Sequence, residues 1–370
     1  MSVDVDVHRS AEDSGARKVS LVDVDIHPNV MPLELAPWLP KRWTQHLERY
    51  GQRAPFLGDL YPRARNNGMR VDAWPEGGFP GSDYGLLREQ LLEEHDIDFG
   101  ILVCMNGFDA GYERPELDAA LNTAINDYQT TEWLDRDDRL RACIAVPIEH
   151  PELAVREIER VADDDRFVQI LLPASGQEAF GSRKYWPVYR AAAERGLPVA
   201  FHTGGYCDHR GTGWPSYYLE EHVGYGVVMQ ALLTSIVCEG TFAEIPDLKV
   251  VLLEGGALWA ASLRWRLDAA WTRLRDEVPE LDRCPSEYIA EHVWFDTQPM
   301  EEPDDPDHFA QIIAQAGLED RLMFATDYPH WDFDSPANSL PRGLTAEQRH
   351  KIFAANAIEL YGFPREVMRP

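Results

Sequence analysis

LPVAFHTGG, residues 197–205, is a short apolar run that ends on a histidine and two glycines. Valine, alanine and phenylalanine leave it no hydrophilic face, so it suits a strand buried on both sides, as in a parallel sheet. LKVVLLEGG, 248–256, repeats the pattern with Glu254 at the polar end. Working outward, six more runs follow: SLVDVDIH at 20–27, DFGILVC at 98–104, LRACIAVP at 140–147, FVQILLP at 167–173, VWFDTQP at 293–299 and RLMFATDYPHWD at 321–332. Helical patterns separate them. PELAVREIERVADDD opens with Pro151 at a first helical position, KYWPVYRAAAERG closes on Gly196, and Thr345 with Gln348 has the spacing of a capping box. Eight such strands alternating with helices predict an α/β chain folded as a closed parallel (β/α)8 TIM barrel. An open doubly wound sheet is the alternative, but no glycine-rich dinucleotide turn follows the first strand.

The chain divides into a loose polar arm, 1–18, and a single domain, 19–370. Residues 28–85, rich in Pro, Gly, Trp and Arg, interrupt the alternation after strand one. They read as a long lid-like insertion on the side where barrel loops contact substrate. The other reading is an excursion packed against a second subunit, and the Trp and Pro residues there are consistent with a homodimer.

A length of 370 residues is enough for one barrel. The net charge of −28 repels phosphates and anionic lipids, which argues against nucleic acid and membrane partners. No apolar run approaches the roughly 18 residues of a membrane span. The amino terminus lacks the apolar core of a secretory signal. The five cysteines are scattered without a CxxC pair, which points to a reducing compartment, and a cytoplasmic location is expected.

Polar residues at the C-terminal strand ends of a barrel converge on one site. Asp25 and His27 are two apart on strand one, so both point the same way. His202 ends strand five, Glu254 strand six and Asp327 strand eight. Together they offer three carboxylates and two imidazoles to a metal, a mixture that suits iron or manganese better than structural zinc. Glu220 and His222, in YYLEEH at 217–222, could add a second metal position; the alternative is an acidic helix start. Asp23, His330, Gln298 and His209 are candidates to orient ligands or border the pocket. Arg63, Arg65 and Arg70 form a basic cluster that could take a phosphate or carboxylate, or serve in surface ion pairs.

These strand ends, with GTFAEIPDLKVVLLEGGALW and RLMFATDYPHWD, resemble the amidohydrolase-related superfamily, in the branch of the aminocarboxymuconate semialdehyde decarboxylase. The resemblance covers about residues 20–365 and implies a metal-dependent TIM barrel. It also implies His-x-His or carboxylate-x-His on strand one and histidines on strands five and six. The present chain carries Asp25-x-His27, and Glu254 stands where that family's strand-six histidine acts as acid and base. Strand four offers Gln169 and no lysine, so a carbamylated-lysine bridge is not expected. The carboxylate excess is similar to that of the TIM-barrel non-haem diiron monooxygenases of platensimycin and platencin biosynthesis. That likeness implies two irons, an external electron donor, and hydroxylation of a hydrophobic small molecule, conceivably coenzyme A-linked, with Glu254 and Asp327 as the catalytic carboxylates. The rival expectation is a hydrolase or non-oxidative decarboxylase using zinc or manganese.

Overall fold

The computed structural model describes residues 16–52, 64–107, 114–205 and 215–368. Eight parallel strands run in sequence order through one sheet. They are β1 (Val22–Ile26), β2 (Phe99–Leu102), β3 (Leu140–Ala145), β4 (Phe167–Ser175), β5 (Val199–Gly205), β6 (Val250–Leu253), β7 (Val293–Asp296) and β8 (Leu322–Met323). The expected TIM barrel is the observed fold. Strands β2, β6 and β7 are buried throughout, which is why they read as apolar runs without alternation; β1 is buried throughout as well, although aspartates alternate along it.

The ring closes where β1 meets the segment leaving β8. The Val24 N–H donates to Phe324 O (3.1 Å), Asp327 N–H to Asp25 O (3.2 Å) and His27 N–H to Tyr328 O (2.8 Å). Strand eight was expected over 321–332, yet only Leu322–Met323 are regular. Further along this segment Asp327 adopts a left-handed backbone, φ 58°.

Helices cover the barrel. Pro151 lies in the first turn of the helix Pro151–Val161, Gly196 follows the helix Trp186–Glu194 with φ 68°, and Thr345 and Gln348 form the expected capping box. No helix among the described residues is long and apolar enough to cross a membrane. Ala16–Lys18, assigned to the loose arm from sequence, instead pair antiparallel with Glu366–Met368. Residues 1–15 lie outside the described residues.

The connection from β1 to β2 contains the helix Lys41–Tyr50 and short turns at Arg65–Gly68 and Val71–Ala73. It is stitched to the strand ends at two places. Near β1, Asn29 N–H donates to Gly81 O (3.0 Å) and the Asn29 amide to Pro80 O (2.7 Å). Near β8, Arg70 N–H donates to Pro329 O and Trp331 N–H to Gly68 O, each at 2.9 Å.

Gly81 has φ 82°, and a Cβ there would stand 2.3 Å from His27 O. Gly81→Ala is therefore expected to cost on the order of 1–2 kcal/mol in backbone strain and a further ~1–3 kcal/mol in overpacking against β1. Chemical unfolding would show the midpoint falling with an unchanged denaturant slope; a wild-type midpoint would refute the close approach.

Candidate metal centre

Strand β1 alternates Val22, Val24 and Ile26 with Asp23, Asp25 and His27, all of them buried. Asp23 is spent within the scaffold. Its Oδ1 accepts from Asp25 N–H (3.2 Å) and Thr326 N–H (3.0 Å), and its Oδ2 from the Thr326 hydroxyl (2.5 Å). Burial lifts this carboxyl to about 7 against the lowering effect of those bonds. Asp23 thus clasps β1 to the end of β8 and fixes where Asp25 and Asp327 stand.

The two histidines are oriented by backbone carbonyls. His27 Nδ1 lies 3.0 Å from Val103 O, and His202 Nδ1 lies 2.9 Å from Thr203 O. A carbonyl only accepts, so each Nδ1 carries the hydrogen and each Nε2 faces the centre, as a metal-ligating imidazole requires. The rings meet edge to face, with centroids 5.0 Å apart.

Glu254 directly follows β6 and Asp327 lies in the segment leaving β8, and both have a left-handed backbone, with φ 51° and 58°. Such conformations cost roughly 1–3 kcal/mol each and persist where the surroundings impose them. Glu254 N–H is held by Asp296 Oδ2 (3.0 Å), and its Oε2 accepts from the Thr203 hydroxyl (2.8 Å) and faces His202 Nε2 (2.9 Å). Asp327 Oδ1 lies 2.8 Å from His27 Nε2 and 2.7 Å from His330 Nδ1.

Two overlapping groups result: Asp25, His27 and His202; and His27, Glu254, Asp327 and His330. Within each, one ligand atom per residue lies within 4.8 Å of all the others. The donor set fits a divalent cation. Neither oxygen of buried Asp25 accepts a hydrogen bond among the described residues. His27 Nε2 and His202 Nε2 face it from 3.5 and 3.4 Å, beyond good hydrogen-bond length. Burial opposes charge on His202, yet Asp25 and Glu254 outweigh it and hold the imidazole well above its ordinary range. Glu254 is driven well below the usual carboxylate range, burial being overcome by His202. Burial also opposes charge on His330, but Asp327 beside it lifts the ring to about 9. The pocket therefore favours positive charge at its centre.

The structure gathers Asp25, His27, His202, Glu254 and Asp327 as the sequence suggested, and it adds His330 to the cluster rather than behind it. Glu220 and His222 belong to neither group. The Glu220 carboxylate, exposed in the first turn of the helix Tyr218–Cys238, accepts from Ser216 N–H. His222 Nε2 pairs with Asp332 Oδ2 at 2.8 Å. Gln298 donates to Asp332 O (2.9 Å). Arg65 is exposed, whereas Arg70 is committed to Asp72 and stacks over Phe333 at 4.4 Å. Arg63 and His209 lie outside the described residues. Asp296 was missed, although it carries the same signal as Glu254, a carboxylate at the end of an apolar strand. Burial, with Asp25 nearby, raises it well above the usual range.

Fold and site together define a metal-dependent enzyme built on a TIM barrel. The chain belongs to the amidohydrolase family, whose sequence pattern matches residues 3–363. It is similar to the gamma-resorcylate decarboxylase of Polaromonas sp. strain JS666, 26% identical over 309 residues that span 79% of this chain and 91% of that protein. Among solved structures it resembles an amidohydrolase of Mycobacterium avium subsp. paratuberculosis (TM-score 0.71, 20% identity, 93% of this chain and 99% of the other). It also resembles a dihydroxybenzoic acid decarboxylase from Polaromonas sp. JS666 with bound manganese and the inhibitor 2-nitroresorcinol (TM-score 0.61, 19% identity, 93% and 97% coverage).

The expectation of a diiron monooxygenase in antibiotic biosynthesis is thereby corrected. The curated relatives are named as decarboxylases, and the residues proposed for a second iron make contacts elsewhere. Carboxylate richness misled because Asp25, Glu254 and Asp327 do gather at one centre, and their number alone does not select oxygen chemistry.

Asp25→Asn is expected to abolish stoichiometric binding of manganese or zinc, measured by plasma emission on dialysed protein. Chelator should lower the wild-type melting temperature, and metal at 100 times its dissociation constant should restore about 2.7 kcal/mol. A chelator-insensitive melt would contradict the assignment.

Proposed function

We propose that the chain is a metal-dependent, non-oxidative decarboxylase of a small aryl carboxylic acid. The observation that carries this reading is the buried Asp25 carboxylate, without hydrogen-bond partners among the described residues, amid inward-facing imidazoles in a chain whose relatives are named as decarboxylases. Asp25, His27, His202 and Asp327 would hold a manganese or zinc ion. Bound there, the ion would supply Lewis-acid polarisation of the substrate's oxygens.

The remaining work belongs to the protein. Loss of the carboxyl group as CO2 leaves an electron pair on the ring carbon, and that carbon must take a proton. Asp327 is suited to hold it. Its Oδ1 is engaged by His27 and His330, while its Oδ2 meets no donor among the described residues. Burial raises this carboxyl against the lowering pull of His330. Glu254 keeps a fixed negative charge beside His202. Bound by Thr203 and paired with His202, it is not placed to shuttle protons as a strand-six histidine would.

Manganese-loaded protein supplied with 2,6-dihydroxybenzoate and related hydroxybenzoates under anaerobic conditions should release CO2 without reductant. Asp327→Asn should lower kcat per bound metal by about 10²–10⁴-fold. No CO2 from any aryl carboxylate, or turnover only with oxygen, would sink the reading.

A further inference from the structure

The helix Tyr218–Cys238 after β5 and the Asp327–Asp332 loop after β8 meet at the mouth of the barrel, and their meeting point is aromatic. Trp331 is 54% exposed, unusual for so large an apolar ring. It is nonetheless held at both ends: its indole N–H donates to the Tyr218 hydroxyl (2.8 Å) and its backbone N–H to Gly68 O (2.9 Å). Tyr218 stands edge to face with it at 6.5 Å, and His222 lies at 5.8 Å. Asp332 fixes the His222 ring in turn. One residue before Trp331, His330 bonds to Asp327 and lies over His27, with centroids 4.7 Å apart. Tyr218 and His222 both feel the charges of Glu254 and Asp327.

We propose that Trp331, Tyr218 and His222 form a preorganised aromatic subsite at the barrel mouth, which receives the flat ring of an aryl carboxylate while its carboxyl group reaches the metal-ligand cluster. The proposal rests on the decarboxylase reading and names its specificity element. Aromatic rings pair offset or edge to face at about 4.5–7 Å between centroids, and a side chain already immobilised loses little freedom when a ligand stacks on it. The ring is rigid and exposed at once, the condition a stacking platform requires. The exposed residues Leu219, Val223 and Val227 lie on the same helix, so contact with another subunit is the competing use of this surface.

Calorimetric titration of the full-length, manganese-loaded protein tests this directly. The probes are 2,6-dihydroxybenzoate and cyclohexanecarboxylate, a carboxylate without a flat ring. Trp331→Ala should weaken the aryl acid about tenfold, leave the cyclohexyl acid unchanged and keep the metal content of the wild type. Trp331→Phe should recover most of the loss. An unchanged affinity for the aryl acid, an equal loss for both acids, or failure of the wild type to bind the aryl acid would each overturn the subsite. So would a shift in sedimentation of Trp331→Ala without a change in affinity, which would assign the ring to a subunit contact. Selective binding of the aryl acid without CO2 release would overturn the reaction while leaving the subsite standing.

Discussion

The centre of this molecule is held by attraction between buried carboxylates and inward-facing imidazoles. Burying one ionised carboxylate costs several kcal/mol unless a positive partner offsets it. Here Asp25, Glu254 and Asp327 crowd around His27, His202 and His330. Such a group is tolerable only if positive charge occupies its middle, and the backbone is arranged to put it there. Carbonyls of Val103 and Thr203 set both metal-facing nitrogens. Thr203 serves the site twice, with its carbonyl orienting His202 and its hydroxyl anchoring Glu254.

The same constraint explains the polar atoms behind the cluster. Asp23 binds backbone and hydroxyl groups of Thr326, and Asp296 binds the backbone of Glu254. Each holds in place a residue whose φ is positive or whose neighbour's is. The strain at Glu254 and Asp327 is thus compensated locally, by the hydrogen bonds of Asp296 and Asp23. The long segment after β1 contributes in the same way, since Gly68 and Arg70 grip the loop that carries His330.

Much of this was legible in the sequence. Runs such as LKVVLLEGG and LPVAFHTGG are apolar because both faces of a barrel strand are buried, and their one polar residue marks the open end. That pattern identified Asp25, His27, His202, Glu254 and Asp327. What periodicity could not convey was which acids point into the site and which into the scaffold. Asp23 and Asp25 have the same spacing logic and opposite employment, decided by Thr326, some 300 positions away. His222 carried the chemistry of a ligand, but its helix delivers it to Asp332 instead. The regular part of β8 is shorter than its apolar run, and the positive φ at Asp327 beyond it leaves no trace in composition.

The seam between β1 and the end of β8 joins the two extremes of the domain, and ligands stand on both sides of it: Asp25 and His27 on one, Asp327 on the other, linked by the bond from Asp327 N–H to Asp25 O. A chain emerging from the ribosome would carry its first two ligands for nearly the whole of synthesis before the last arrived. The cluster is therefore assembled only when the ring shuts. A chain that ended before Asp327 would lack both the bond that closes this seam and one carboxylate of the cluster.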